Sequence, residues 1–157
     1  MRFVAGMMLL AFVNTPVSAD WQYTRWGMTK DEVIFASQGA AKAYSATDQD
    51  AGAYRVLATA PYTGLGFEFV SLFMFDWQTS ALIGVKLNLN LATQCKSMLG
   101  ALIGTYGNPL ETTGVPVRTF TWRDYKNKNV VKARLIEPTY CQIIYSPIIE
   151  TGPSGGL

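Results

Sequence analysis

Apolar residues follow two periods along this chain, and the two periods alternate in blocks. Runs typical of strands lie at 53–58, 66–75 and 81–89, and again at 117–123, 130–136 and 140–145. Polar or Gly- and Pro-containing turns separate the runs within each block, so we expect antiparallel connections. Each block therefore predicts a small meander of three strands.

A helix is predicted before each block of strands. The segment Thr29-Lys30-Asp31-Glu32 forms a capping box, because the Thr29 hydroxyl can accept from the third helical amide while Glu32 bonds back to the cap. This helix should run from Lys30 to about Ser37 and end at Gly39. A second helix, capped by Asn90, carries apolar residues at three- and four-residue spacing: Leu91, Cys95, Met98, Leu99, Leu102 and Tyr106.

The order helix, three strands, helix, three strands predicts an α+β fold. Two helices cannot cover both faces of six strands. We therefore expect a two-layer sandwich, with a mainly antiparallel sheet of about six strands and both helices on one face. Residues 20–148 should form this single domain, with possible halves 20–89 and 90–148 as an αβββ tandem. The Gly- and Pro-containing tail, 149–157, is predicted to be disordered.

The first nineteen residues have the pattern of a cleavable signal peptide. Arg2 supplies a positive start, residues 3–13 are apolar but short for a bilayer span, and Val17-Ser18-Ala19 precedes Asp20 as a cleavage site. Because Asp20 and not a cysteine follows this site, no lipid anchor is expected. The mature chain of about 138 residues (157 minus 19) is predicted to be periplasmic or secreted, without a transmembrane segment. The alternative is an uncleaved membrane tether.

The two cysteines, Cys95 and Cys141, are predicted to form a disulfide. An even cysteine count in an oxidising compartment favours a bridge. Cys95 lies on the apolar stripe of the second helix and Cys141 alternates in phase with Ile143, so the two sulfurs can meet between the layers. The chain has no histidine, and two lone sulfurs cannot complete a zinc site, so no metal or other cofactor is expected.

Charge is concentrated in the second half of the chain. The net charge of +2 is too close to neutral for a nucleic-acid partner. Residues 118–134, however, include six basic residues and one acid, which gives a local charge of +5 (six minus one). Such a segment suits an envelope protein with an acidic surface or an anionic envelope component, a glycan or lipid head groups.

Alternation predicts an aromatic and basic sheet face in this segment. If Arg118, Phe120 and Trp122 point away from the helices, neighbouring strands add cations and a tyrosine. The predicted binding residues are Arg118, Phe120, Trp122, Lys132, Arg134 and Tyr140. The alternative is structural, because large side chains roof a sheet and basic residues keep an edge hairpin soluble. A register error of one residue exchanges the two faces.

Catalytic signatures are missing from the sequence. Without histidine, Ser-His-Asp and Cys-His arrangements are excluded, and the Ser-x-x-Lys pattern is absent. We therefore expect an exported, non-enzymatic binding or scaffolding module of the cell envelope. One alternative is a small envelope hydrolase using carboxylates around Glu68, which lies inside an apolar strand. Another is a structural envelope protein that self-associates, for example as a homodimer, through the phenylalanine-rich strand 66–75.

Two segments resemble a family of small exported proteins. The sequence Gly27-Met28-Thr29-Lys30-Asp31-Glu32-Val33 is similar to the Gly-Met-Thr-x-x-x-Val opening helix of proteins related to the outer-membrane assembly lipoprotein BamE and the β-lactamase inhibitor protein. The Tyr-Gly-Asn-Pro ending at residues 106–109 looks like the helix end before the strands of such domains. The resemblance implies a binding or scaffolding module without an active site. This chain lacks the lipid-bearing cysteine of BamE and the cysteine pair of an inhibitor repeat.

Overall fold

Eight antiparallel strands form one sheet, and two short helices accompany it. The computed structural model of the chain describes residues 20–45, 54–136 and 139–149. Its elements are α1 (Lys30–Ala36), β1 (Lys42–Ala43), β2 (Tyr54–Gly64), β3 (Phe67–Asp76), β4 (Leu82–Leu89), a 3-10 turn (Ala92–Gln94), α2 (Cys95–Tyr106), β5 (Glu111–Thr113), β6 (Arg118–Asp124), β7 (Asn129–Ile136) and β8 (Tyr140–Pro147). The predicted signal peptide, and the predicted tail except Ile149, lie outside the described residues.

The predicted fold class is wrong in both strand number and layering. The sheet has eight strands in the order β1-β2-β3-β4-β8-β7-β6-β5, not about six. Helices α1 and α2 have only 7 and 12 residues, so the molecule is mostly one antiparallel sheet and not a two-layer sandwich with a helical layer. The unpredicted strands β1 and β5 have two and three residues, which is too short for a period of two to show.

The strand order is symmetric about the pair β4–β8. Each half of the described chain contributes one α-helix followed by four strands, and so the unit is αββββ where αβββ was predicted. The halves join where Val85 pairs with Tyr145 and Asn88 pairs with Gln142 in antiparallel register. Both halves therefore share one hydrogen-bonded sheet, and β4 and β8 occupy its centre.

The first helix forms as its capping box predicts. The Thr29 hydroxyl accepts from the Glu32 amide at 3.4 Å, and the Glu32 carboxylate accepts from the Thr29 amide at 2.8 Å. Gly39 follows with a φ of +91°, a left-handed conformation that favours glycine and turns the chain towards β1. The predicted Asn90 cap is wrong, because α2 begins at Cys95 after the 3-10 turn and has no side-chain cap.

One face of the sheet, the core face, carries the main hydrophobic core. Its largest buried strand residues include Phe69, Phe73, Phe75, Leu87, Trp122, Leu135 and Ile143. Val33 of α1 and Met98 and Leu102 of α2 belong to the same cluster. Burial of each such side chain stabilises the fold by about 1.5–3 kcal/mol. On the opposite face, the outer face, Val56, Leu72 and Met74 form a smaller cluster.

The predicted disulfide is confirmed. Cys95, at the start of α2, is bonded to Cys141 on β8, and their Cα atoms are 5.8 Å apart. Both cysteines are buried in the main cluster. The bridge therefore holds α2 against a central strand of the core face. Within the described ranges, no helix has the length and apolar character needed to cross a membrane.

Candidate binding surface

The strand register divides the six predicted binding residues between the two faces of the sheet. Phe120 pairs with Ala133 and Trp122 pairs with Val131, and all four side chains belong to the core. The exposed fractions of Phe120 and Trp122 are 5% and 2%. The sequence analysis predicts that these two rings point away from the helices, but in the structure they lie on the core face. The difference arises because alternation alone allows two registers.

The basic residues of the predicted site lie elsewhere. Lys132 and Arg134 alternate with buried β7 residues and are exposed on the outer face. Tyr140 is on that face too, because it alternates in phase with Gln142, the register partner of Arg134. Arg118 shares the core-face side of β6, where its guanidinium carbon lies 5.0 Å from the centre of the Phe120 ring. The structure therefore brings together Lys132, Arg134 and Tyr140, but not Arg118, Phe120 or Trp122.

The outer face adds two residues that the sequence analysis did not single out. Lys132 pairs with Ile144, which in turn pairs with Lys86 on β4. Adjacent strands are about 4.8 Å apart, so the stems of Lys86 and Lys132 stand about 10 Å from each other. The Lys86 ammonium lies 5.9 Å from the centre of the Tyr54 ring on β2.

We call these five residues the outer basic patch: Tyr54, Lys86, Lys132, Arg134 and Tyr140. Lys86 was recognisable in the sequence as the only cation of the strand 82–89. The proximity of Lys86 to the cations of β7 was not recognisable in the sequence, because it depends on the pairing of β4 with β8.

Burial, and secondarily the charge of Arg134, shift the pKa values of two residues of this patch. Partial burial, and secondarily the positive charge of Arg134, lower the pKa of Lys86 below its ordinary value. Burial raises the pKa of the Tyr140 phenol, and Arg134 acts in the opposite direction. The tyrosine hydroxyl is therefore a neutral hydrogen-bonding group beside two cations at neutral pH.

A fixed polar layer lies beneath the patch. The Tyr140 hydroxyl donates to Gln142 Oε1, and only 2% of Gln142 is exposed. Next to it on β4, the buried Oδ1 of Asn88 has no hydrogen-bond partner in the described part of the chain. A buried acceptor without a partner is unusual in a folded protein.

No described carboxylate lies within 4.0 Å of a patch cation, and the acid in the same row of the outer face, Glu111 on β5, stands two strands from Lys132. Across the described ranges, the ion pair within 4.0 Å is Lys30–Asp31 at 3.5 Å, on α1 and outside the patch. The cations Lys86, Lys132 and Arg134 thus form a positive surface on the strands at and beside the centre of the sheet. Such a surface attracts an anionic group and orients it before contact.

Glu68, the residue of the hydrolase alternative, is exposed on β3. It borders a cavity of about 260 Å³ whose other described lining residues include Phe67, Asn90 and Gln94 and no second acid. Paired carboxylates are the usual requirement for glycoside hydrolysis. In addition, the residues that the structure describes contain no group of three or more Cys, Asp or Glu side chains that could hold a metal ion.

The phenylalanine-rich strand presents its rings to the core and not to a second copy of the chain. Phe69, Phe73 and Phe75 are buried in the main cluster, and Phe67 packs against it. On the outer face of the same strand, Val70 is 42% exposed. Self-association through this strand therefore remains a prediction that only the outer-face residues could support.

The chain was also compared with known proteins. No protein-family model, no curated protein and no solved structure matches it. The candidate surface is therefore defined by its own geometry and charge.

Proposed function

We propose that this protein is an exported, non-enzymatic binding module of the cell envelope that holds an acidic partner protein on its outer basic patch. The observation that carries the proposal is the cluster of Lys86, Lys132 and Arg134, none of which has a described carboxylate within 4.0 Å. A surface that carries mainly positive charge attracts a negatively charged partner and orients it for binding.

The confirmed disulfide supports a location outside the cytoplasm, in the periplasm or the external medium. Stable structural disulfides persist in oxidising compartments. The signal-like pattern of residues 1–19 provides the route of export. The resemblance to BamE-related proteins, which are binding or scaffolding modules, points in the same direction.

An apolar neighbour of the patch favours a protein partner over a free anion. Lys86 pairs across the sheet with Leu72, which belongs to the outer cluster of Val56, Leu72 and Met74. Val70, two residues before Leu72, is 42% exposed on the same face. Protein interfaces commonly combine an apolar centre with a charged rim. Since Val56, Leu72 and Met74 are themselves buried, Val70 is the exposed apolar residue that the outer face offers beside the charged patch.

Charge reversal on β7 tests this proposal. The double variant Lys132→Glu, Arg134→Glu changes the patch, and Lys126→Glu, Lys128→Glu makes the same change in net charge at the exposed β6–β7 turn. Each protein is immobilised in its mature form and used to capture cross-linked partners from a periplasmic extract at low and high salt. Wild type and the turn variant should retain an acidic protein at low salt, and the β7 variant should lose it.

Three results would overturn the proposal. The β7 and turn variants could retain the same proteins, or the retained protein could be insensitive to salt. Alternatively, the wild type could sediment with vesicles of anionic phospholipid and capture no acidic protein, in which case the patch would be a membrane-binding surface. Equal melting temperatures of the two variants establish that loss of binding does not reflect unfolding.

A further inference from the structure

A polar cavity of about 270 Å³ lies beside Asp20, the first residue that the structure describes. Its described lining includes the carboxylates of Asp20 and Asp124 and the rings of Tyr62, Tyr106 and Tyr145. No lysine or arginine is among its described lining residues. The cavity is therefore suited to a positively charged group.

Asp20 is held in place at the cavity by three hydrogen bonds. Its backbone N–H donates to the Thr24 carbonyl at 2.9 Å. Its carboxylate accepts from the Trp26 amide at 2.7 Å, and its carbonyl accepts from Asn129 Nδ2 at 2.6 Å. The last bond joins residues 109 positions apart, and Asn129 is 3% exposed. The backbone nitrogen of Asp20 is thus fixed by Thr24, and its carbonyl lies at Asn129, the first residue of β7.

Asp124 lies at the same end of the sheet. It pairs across the β6–β7 hairpin with Asn129, the residue that holds the Asp20 carbonyl. Asp124 and Asp20 are therefore both adjacent to Asn129, and both line the same cavity. Asn127 donates to both Asp124 oxygens, from its amide at 3.1 Å and its side chain at 2.6 Å. These bonds fix the position of the carboxylate.

We propose that proteolytic cleavage after Ala19 creates an α-ammonium group on Asp20 that this cavity holds, with Asp124 as its counter-ion. In this step, a signal peptidase hydrolyses the Ala19–Asp20 peptide bond with one water molecule. Ala19 receives a carboxylate, and the freed Asp20 amine takes up a proton at neutral pH. The inference rests on the export that the proposed function includes, but it concerns a different surface from the outer basic patch.

Cleavage thus contributes to the stability of the folded chain, because it gives the Asp20 nitrogen additional hydrogen-bond donors. Before cleavage the Asp20 nitrogen has one hydrogen, which the Thr24 carbonyl accepts. After cleavage it has three, so two more can reach acceptors of the cavity. The acceptors available there are the Asp124 carboxylate, the tyrosine hydroxyls and the Asp20 carboxylate itself. Charge-assisted hydrogen bonds of this kind are stronger than those between neutral groups.

The pH dependence of this contact has a definite sign. An α-amino group has an ordinary pKa of about 7.7–8.0. The facing groups on every described wall are the carboxylates of Asp20 and Asp124 and three phenols, Tyr62, Tyr106 and Tyr145, whose pKa values burial raises. The carboxylates raise the pKa of the amine in the folded state, and the phenols, which stay neutral, add no opposing charge. Its contribution to stability is then complete below about pH 7.7 and is lost as pH rises through the folded-state pKa.

N-terminal acetylation tests the proposal directly. The chain beginning at Asp20 is prepared with a free amine and with an acetylated amine, each in the wild-type and Asp124→Asn backgrounds. At pH 6.5, acetylation should lower the melting temperature of the wild-type background by about 2–4 °C. The difference in melting temperature between the free and acetylated chains should be smaller at pH 10.5 and in the Asp124→Asn background. Asp31→Asn on α1, a matched loss of an exposed acid, should preserve it.

A second variant keeps the test decisive if Asp124→Asn folds poorly. Addition of one glycine before Asp20 moves the ammonium away from its position but keeps every native residue, and it should also lower the melting temperature at pH 6.5. Equal melting of free and acetylated chains at pH 6.5, or an equal loss at both pH values, would refute the ammonium site. The intact mass of the exported protein reports separately whether cleavage occurs after Ala19, and partner capture reports separately on the outer basic patch.

Discussion

Trp122 donates its indole N–H to the backbone carbonyl of Gly107 at 2.8 Å. Gly107 ends α2, and Trp122 lies in the middle of β6, so this bond ties the end of the helix to a strand. The Trp122 ring is also stacked near Phe120, with centroids 6.4 Å apart. A residue predicted to recognise a partner is therefore a structural anchor of the second half.

Truncation of this anchor should destabilise the fold without acting directly on binding. We expect Trp122→Ala to lower the free energy of unfolding by about 3–5 kcal/mol, because it leaves a cavity in the core. Trp122→Phe keeps most of the apolar volume but removes the donor to Gly107, and should cost about 1–3 kcal/mol. Urea unfolding measures both values. Tyr125→Ala, at an exposed position in the adjacent turn, serves as the control, and equal midpoints for all three variants would contradict the prediction.

Loss of the Cys95–Cys141 bridge should also have a large effect on stability. Closing a loop with a sequence separation of 46 residues destabilises the unfolded chain by about 4 kcal/mol in the chain-entropy model. The double variant Cys95→Ala, Cys141→Ala should therefore unfold at a clearly lower urea concentration. Thiol titration of native wild type should find no reactive sulfhydryl, and reductant should lower its unfolding midpoint. An unchanged midpoint under reductant would show that the bridge does not stabilise the fold.

Removal of the Lys86 charge should stabilise the isolated protein slightly. Its pKa is lowered in the folded state, so the unfolded chain binds the proton more tightly, and stability rises as pH increases towards 10.5, the ordinary value. Lys86→Met should raise the melting temperature at pH 7 by about 1–3 °C, since solvent screens a half-exposed charge. The gain should be smaller near pH 11. A lower melting temperature at pH 7 would mean that the cation stabilises the fold.

The turn after β3 should contribute to the acid sensitivity of the protein. Asp76 Oδ1 accepts from the Thr79 amide at 2.7 Å, the Thr79 hydroxyl at 2.9 Å and the Gln78 amide at 3.0 Å. These bonds, those from Thr79 first, lower the pKa of Asp76. Their contribution is present above about pH 4 and is lost as pH falls through the folded-state pKa.

Asp76→Asn tests the role of this turn. The variant should be less stable than wild type at pH 6, and the difference should narrow at pH 2–3, as followed by urea unfolding across that range. Glu111→Gln, which alters an exposed acid on β5, is the matched control. A difference between Asp76→Asn and wild type that is constant with pH would exclude ionisation of Asp76 as the cause.

Local sequence signals predicted the long elements of the fold well. The capping box placed α1, and six of the eight strands lie at or near the predicted runs because their apolar alternation is regular. The first strand is longer than the predicted run 53–58, since β2 continues to Gly64 and the chain reverses at Leu65 and Gly66, both with positive φ. The disulfide was predictable from the cysteine count, the expected export and the placement of both cysteines among apolar residues.

Which residues meet on each face could not be read from the sequence. Lys86 on β4 and Arg134 on β7 become neighbours only because β8 returns to the centre of the sheet between them. Likewise, Phe120 and Lys132 alternate equally well in either register. Which of the two is covered depends on where α2 packs, and this is a long-range property of the fold.

The covalent cross-link is confined to one half of the molecule. Cys95 and Cys141 both follow β4. The first half joins the second through the β4–β8 ladder, the shared core and hydrogen bonds such as that from Asn129 to Asp20, but not through a covalent cross-link. Under heat or mechanical load, the stapled half should keep its local order longest, and the unstapled half should open first. The two halves would then unfold in a fixed order. Lys86 would leave the patch while the strands that carry Lys132 and Arg134 are still folded.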